Sequence, residues 1–193
     1  MSDTKIEVRA AILLNRRALP ALEHDAEAHA LVGHLPALVA DVYTVCAHVP
    51  VGSEPGSIEL IDSLHRRGVR VLLPVARLDS AGVPRLLQWG DYRPGDLVDA
   101  RFGLREPAEP WLPPETVSEA AVILVPALAV DRGGVRLGRG AGFYDRSLPL
   151  ADPAARLVAV VRDDELVDSL PAEPHDVRMT HALMPRRGVV TLG

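Results

Sequence analysis

Between Ala120 and Arg146 the chain passes from an apolar run into a stretch crowded with glycine and arginine. The run Ala120–Val130 is broken only by Pro126 and turns polar at Asp131. Gly133, Gly134, Gly138, Gly140 and Gly142 follow, interspersed with Arg132, Arg136 and Arg139, and the stretch closes on Phe143-Tyr144-Asp145-Arg146. An apolar run of this kind reads as a buried strand. A glycine-rich loop after it, opening a helix, brings bare backbone N–H groups and a helix N-terminus to one place, a common way to hold phosphate. The arginines add charge-assisted donors suited to phosphate oxygens. Asp145 adds a hard oxygen ligand with which a magnesium ion could bridge to phosphate. A solvated surface loop would carry the same composition.

The common phosphate motifs do not fit. A P-loop requires G-x-x-x-x-G-K-[ST], and Gly133 to Gly138 has the gap but is followed by Arg139-Gly140. The dinucleotide fingerprint G-x-G-x-x-G meets only G-x-G-x-G at Gly138, Gly140 and Gly142. The stretch VPALAVDRGGVRLGRGAGFYDR instead resembles the signature of the 5-formyltetrahydrofolate cyclo-ligase (methenyltetrahydrofolate synthetase) family, close to VPGLAFDxxGxRLGxGxGYYDR. Val125, Pro126, Leu128, Asp131, Gly134, Arg136, Leu137, Gly138, Gly140, Gly142, Tyr144, Asp145 and Arg146 stand in register with it. The departures are Ala127 for glycine, Val130 for phenylalanine and Phe143 for the first tyrosine, where an aromatic face is kept and a hydroxyl lost.

Composition narrows the partners. The chain has 193 residues, enough for one domain with a sizeable core, and residues 1–193 read as a single cyclo-ligase-like domain. A net charge of −5 argues against non-specific nucleic-acid binding and a membrane-surface role. With 4% aromatic residues a base-stacking platform is not expected. The single cysteine, Cys46, allows no internal disulfide and no cysteine metal cluster, and fits a cytoplasmic location. The N-terminal segment MSDTKIEVRA lacks a signal-peptide apolar core. The longest apolar run is about half the roughly 20 residues a membrane span needs. Of 21 basic residues only one, Lys5, is lysine.

Periodicity predicts helices over Thr4–Leu19, Asp25–Val39 with Pro36 weakening its end, and Ser57–Arg67 capped by Ser57 and stopped at Gly68. Strands are expected over Val42–Val49, Val69–Pro74, Leu86–Trp89, Ala120–Val125 and Leu157–Val161, with Val177–Met184 ending the sheet. Pro50–Ser57 reads as a turn-rich loop, Gly95–Leu112 as mostly loop, and Gly142–Leu148 as the opening of a helix. Alternating strands and helices predict a three-layer α/β/α, Rossmann-like domain with a mainly parallel sheet. Ligands then bind beyond the strands' carboxyl ends, where Pro50–Ser57 and the glycine-rich loop both emerge.

The resemblance extends beyond the loop and implies roles for further residues. Lys5-Ile6-Glu7-Val8-Arg9 is similar to a K-x-x-x-R element that contacts ATP, and spacing alone puts Lys5 and Arg9 on one helix face. Glu54 stands at the glutamate that lies beside the pterin-formyl part of folate. Arg136 and Arg139 would clamp ATP phosphates, Arg139 acting also on the transferring phosphoryl group as the catalytic residue. Gly138, Gly140, Gly142, Phe143 and Tyr144 would complete the ATP site, with Tyr144 shared by the folate. Asp145 and Asp176 would be the metal ligands for Mg2+. Thr180 replaces an often acidic position. Arg101 and Arg105 could face phosphates or a polyglutamate tail, and Glu106-Pro107 reads as a structural turn.

What the family implies is ATP- and Mg-dependent conversion of 5-formyltetrahydrofolate to 5,10-methenyltetrahydrofolate, ADP and phosphate, through a phosphorylated formyl intermediate. ATP is co-substrate and the expected partners are small molecules, with no nucleic acid, no membrane and a monomer or weak dimer. Two alternatives remain open from the residues: an ATP-dependent enzyme acting on another substrate, and a non-catalytic nucleotide- or folate-binding module.

Overall fold

The computed structural model describes residues 4–193, apart from the side chain of Phe102. The first three residues of the N-terminal segment lie outside it. The chain runs α1 (Lys5–Ala18), α2 (Ala21–Val39), β1 (Thr44–Cys46), α3 (Ile58–Arg66), β2 (Arg70–Val75), β3 (Gln88–Asp91), β4 (Leu97–Asp99) and β5 (Arg105–Pro107). It continues through β6 (Val122–Pro126), β7 (Ala129–Asp131), β8 (Arg136–Leu137), α4 (Phe143–Ser147), β9 (Arg156–Val160), β10 (Leu166–Val167), β11 (His181–Met184) and β12 (Gly188–Thr191).

Seven strands form one sheet in the order β12-β11-β9-β6-β1-β2-β3. The five inner strands are parallel, and the two edges, β12 on β11 and β3 on β2, are antiparallel. The α/β reading with a mainly parallel sheet therefore holds. From β1 the chain goes to β2 on one side and to β6 on the other. That reversal leaves a crevice beyond the carboxyl ends of β1 and β6.

The strands are apolar on both faces because both faces are covered. In β6, Val122 and Leu124 pack with Leu31, Leu35, Leu60 and Leu64 of α2 and α3. Ile123 and Val125 point to the opposite cluster with Val117, Leu148 and Met184. That second face is covered by α4 and by short 3-10 turns at Pro114–Glu119 and Leu148–Leu150 rather than by long helices. Cys46 is buried there, and burial pushes its thiol pKa up.

Several local expectations differ from the structure. The second helix starts at Ala21, not Asp25, because the Pro20 carbonyl accepts the Glu23 and His24 N–H groups. Leu22 is 85% exposed there, so no apolar period marks this turn. The helix ends at Val39 as expected, and Pro36 inside it does not stop it because Leu35, Leu38 and Val39 are buried. Ser57 occupies the N-cap of α3 but its side chain makes no capping bond. The first strand is confined to Thr44–Cys46, with Ala47 still donating to the Leu72 carbonyl.

Gly95–Leu112 contains the antiparallel pair β4–β5, a pairing without apolar alternation in Leu97-Val98-Asp99 to announce it. The sheet does not end at Met184, because Gly188–Thr191 turns back antiparallel on β11. The strand feeding the glycine-rich stretch does not run straight into it. A β7–β8 hairpin intervenes, and the helix that follows is only five residues long. Asp131 holds this hairpin by accepting the Val135 N–H at 2.8 Å and the Leu170 N–H at 2.9 Å.

Candidate active site

At the crevice, a cavity of about 400 Å³ opens between the segment after β1, the end of β2, the segment around β5, and the chain from Pro126 through α4. Its wall includes Lys5, Arg9, Glu54, Arg136, Gly138, Arg139, Gly140, Gly142, Phe143, Tyr144, Asp145 and Asp176. These twelve residues, expected from the sequence around ATP, folate or metal, thus line one cavity.

The N-terminal helix reaches the cavity because its inner face is apolar. Val8, Ile12 and Leu13 pack on Leu128, Ala129 and Leu137 of the hairpin region. Thr4 and Glu7 form a reciprocal capping box at its start. Farther along, Arg16 enters the core, donating from Nε and Nη2 to the two Glu165 carboxylate oxygens at 2.6 and 2.7 Å and from Nη2 to the Ala127 carbonyl at 2.7 Å. These anchors set Arg9 against the glycine-rich loop, where its Nε donates to the Gly138 carbonyl at 2.9 Å.

Lys5 Nζ lies 3.1 Å from both Glu173 and Asp176. Burial works against its charge, but the hydrogen bonds to Asp176 and Glu173 outweigh it and hold the Lys5 pKa above its ordinary value. Burial likewise raises the Asp176 carboxyl, and the Glu173 backbone N–H together with Lys5 reverses this, leaving it below the usual carboxylate range.

The two arginines of the signature differ in setting. Arg136 is buried, donating from Nη2 to Asp145 at 2.9 Å, with its plane 5.8 Å from the Tyr144 ring centroid and its Nε without a partner. Arg139 is half exposed and donates from Nε to Glu54 at 3.0 Å. Glu54 also accepts the Val51 N–H at 2.9 Å, so its carboxylate is fixed by its own turn. The Tyr144 hydroxyl is buried without a partner, and desolvation drives its pKa far up, so it is a neutral donor.

Gly142 sits at the N-cap of α4 with φ +77°, a backbone shape that a side chain strains. Gly134 meets a different demand. A Cβ there would stand 2.3 Å from the Met179 carbonyl oxygen, and the Gly134 carbonyl accepts the Met179 N–H at 2.7 Å. That contact fastens the segment carrying Glu173 and Asp176 to the hairpin.

Other residues resolve differently. Arg105 lines the cavity; Arg101 does not. Glu106 is a buried anchor in the wall, accepting the Ala76 N–H and Arg77 Nη1, both at 2.7 Å. Thr180 lies outside the wall and bonds to the Leu157 backbone. His48 and Glu173, not singled out from sequence, are part of the wall. His48 carried no sequence signal, because it falls inside the strand expected over Val42–Val49, and only the shorter observed strand leaves it beyond the end.

Among the described residues no cluster of three or more His, Cys, Asp or Glu forms a self-contained metal site. Magnesium, however, is commonly held by one or two carboxylates with substrate phosphates and water supplying the rest. Asp145 has one oxygen on Arg136, and its other oxygen has no hydrogen-bond partner among the described residues. The donor set therefore fits a magnesium ion that arrives with phosphate. No helix of the described residues is long and apolar enough to cross a membrane.

Comparison with known proteins bears on the family and on the fold. The model of the 5-formyltetrahydrofolate cyclo-ligase family matches residues 1–185. A 5-formyltetrahydrofolate cyclo-ligase of Mycolicibacterium smegmatis is 64% identical over 189 residues, covering 98% of this chain and 97% of the relative. One of Escherichia coli K12 is 33% identical over 150 residues, covering 77% and 81%. Among solved structures, the NMR structure of Aquifex aeolicus 5,10-methenyltetrahydrofolate synthetase aligns with a TM-score of 0.79 at 23% identity, covering 97% of this chain and 92% of that one. The synthetase of Mycoplasma pneumoniae aligns at 0.69 and 20% identity, covering 91% and 94%, and both structures speak to the fold. With a signature in register, a family model spanning nearly the whole chain and a relative sharing almost two thirds of its residues, the chain belongs to the 5-formyltetrahydrofolate cyclo-ligase family and is a ligase.

Proposed function

We propose that this enzyme cyclises 5-formyltetrahydrofolate to 5,10-methenyltetrahydrofolate at the expense of ATP, with Mg2+ as cofactor. The observation that carries the reading is the Arg139–Glu54 contact at 3.0 Å. It joins the glycine- and arginine-rich loop to the acidic turn after β1, so a phosphate donor and a folate bound to them would meet.

On this reading ATP lies along Arg9, Gly138, Arg139, Gly140 and Gly142, with Lys5 at the phosphate end. Phe143 and Tyr144 give apolar surface. Glu54 accepts hydrogen bonds from the N–H edge of the pterin. Asp145 and Asp176 are the carboxylates that would hold magnesium, which when bound neutralises charge on phosphate oxygens.

The N5-formyl group is amide-like and a poor electrophile. Its oxygen attacks the γ-phosphorus, the bond to ADP breaks, and an iminium phosphate forms. N10 then bonds to the formyl carbon, N10 loses its proton, and the carbon–oxygen bond breaks with both electrons leaving on phosphate. No side-chain nucleophile takes part. The protein positions the reactants and stabilises the charge that develops on the phosphoryl group.

The test is turnover with purified enzyme, magnesium, ATP and 5-formyltetrahydrofolate, followed by the absorbance of the methenyl product and by ADP. Product and ADP should appear together and depend on magnesium. ADP without methenyl product would favour an ATP-dependent enzyme acting on another substrate. Binding without either product would favour a non-catalytic module.

A further inference from the structure

We propose that His48 is the base that removes the N10 proton during ring closure. This rests on the cyclo-ligase reading of the site and adds to it a residue that the family signature does not contain.

His48 stands two residues beyond the end of β1, in the cavity wall, and is 8% exposed. Its Nδ1 lies 3.3 Å from the carbonyl oxygen of Leu124 in β6. A carbonyl can only accept, so Nδ1 carries the hydrogen and Nε2 carries the lone pair. No hydrogen bond to Nε2 occurs among the described residues. The strand neighbour thus fixes both the tautomer and the ring, and the free acceptor belongs to a residue of the cavity wall.

The other candidate bases in the wall are already engaged. Glu54 is held by Arg139 and the Val51 N–H, and Glu106 by Arg77 and the Ala76 N–H. Asp145 is held by Arg136, while Glu173 and Asp176 share Lys5. Each of these carboxylates already has a cation to serve, and taking a proton would break that pairing. His175, the other histidine of the wall, has a side chain 70% exposed and lies against Glu173 at 3.3 Å. Among the described wall residues this leaves the His48 imidazole as the buried neutral acceptor.

The chemistry suits a weak base. Bond formation to the formyl carbon leaves N10 as an aryl ammonium, a strong acid, so neutral imidazole takes its proton readily. Burial lowers the His48 pKa, Glu54 and the Leu124 bond oppose this, and Arg16 adds to it. The ring is therefore neutral when the folate arrives. The negative charge of Glu54 then favours the imidazolium that forms.

Single-turnover rapid quench separates the steps. With wild-type enzyme, ADP and methenyl product should appear together. If wild type makes no methenyl product, the underlying reading of the site fails and this proposal with it. His48→Asn places an amide donor where Nδ1–H stands and deletes the Nε2 lone pair. It should form ADP at the wild-type rate, while methenyl formation falls about 100-fold, as loss of a general base does. Added imidazole should restore the lost step. His48→Gln, which keeps an acceptor but not a basic one, provides a second variant and should show the same lag. Synchronous ADP and methenyl product at the wild-type rate would overturn the proposal and point to Glu54 once Arg139 has moved to phosphate. An equal loss of both products, without imidazole rescue, would also overturn it by making His48 a packing residue.

Discussion

Arg139 and Glu54 hold each other at 3.0 Å, and the two have different ligands to serve. When phosphate recruits the guanidinium, the Glu54 carboxylate keeps its Val51 N–H and becomes available to the pterin. Arg139, half exposed and on a loop, is free to follow charge, whereas Arg136 is buried against Asp145 and is fixed. Arg139→Ala should therefore lower turnover by about 100-fold, the usual cost of losing one donor to developing charge. Steady-state kinetics check this; unchanged turnover with a raised KM for ATP would make Arg139 a binding residue only. Lys5 allows a chemical test, since it is the chain's only lysine. Mg-ATP should slow its modification by an amine-selective reagent, and the labelled enzyme should lose activity. If labelled enzyme and Lys5→Gln stay fully active at low ATP, Lys5 serves only to hold Glu173 and Asp176.

The elements that position these residues were legible where packing follows one simple period. The apolar spacing of α1 is plain in Val8, Ile12 and Leu13, and the structure packs those side chains on the hairpin region. The strand at Val122–Pro126 is plain because both of its faces are buried. The β7–β8 hairpin was not legible, because the strand was expected over Ala120–Val125 and the continuing apolar run to Val130 does not show that Ala129–Asp131 belongs to a second, three-stranded sheet. Nor was β12, whose residues Gly188–Thr191 gain meaning only from pairing with β11. Gly134 shows how a signature residue can be architectural: it lets the Met179 backbone approach and is not part of the cavity wall. Gly134→Ala should lower thermal stability by more than about 1 kcal/mol, since a Cβ at positive φ is strained and here also meets backbone. Thermal unfolding measures the loss. Limited proteolysis should then cut first near Glu173–Asp176, the segment that this contact holds, and a wild-type melting curve would contradict the assignment.

At the scale of the whole molecule, the parallel sheet places its crevice where β1 and β6 diverge, and the chain brings to it residues as distant in sequence as Lys5, Glu54, Arg139 and Asp176. Arg139 was legible through motif register, because glycine and arginine spacing in Arg136–Arg146 is unusual enough to identify a family, and Lys5, Glu54 and Asp176 followed from the resemblance to that family. The sequence could not reveal their pairing. That Asp145 faces Arg136 and Asp176 faces Lys5 depends on how α1 and the segment near Glu173 fold across the cavity. It also passed over His48, a single histidine whose tautomer is set by the carbonyl of another strand. If the cyclo-ligase reading holds, this cavity brings the formyl oxygen of the folate to the γ-phosphate of ATP. Isotope transfer tests it most directly. 5-Formyltetrahydrofolate carrying oxygen-18 in its formyl group is turned over with unlabelled Mg-ATP, and the inorganic phosphate is examined by mass spectrometry. The account predicts one labelled oxygen in each phosphate released; unlabelled phosphate, with the isotope appearing in water, would contradict it.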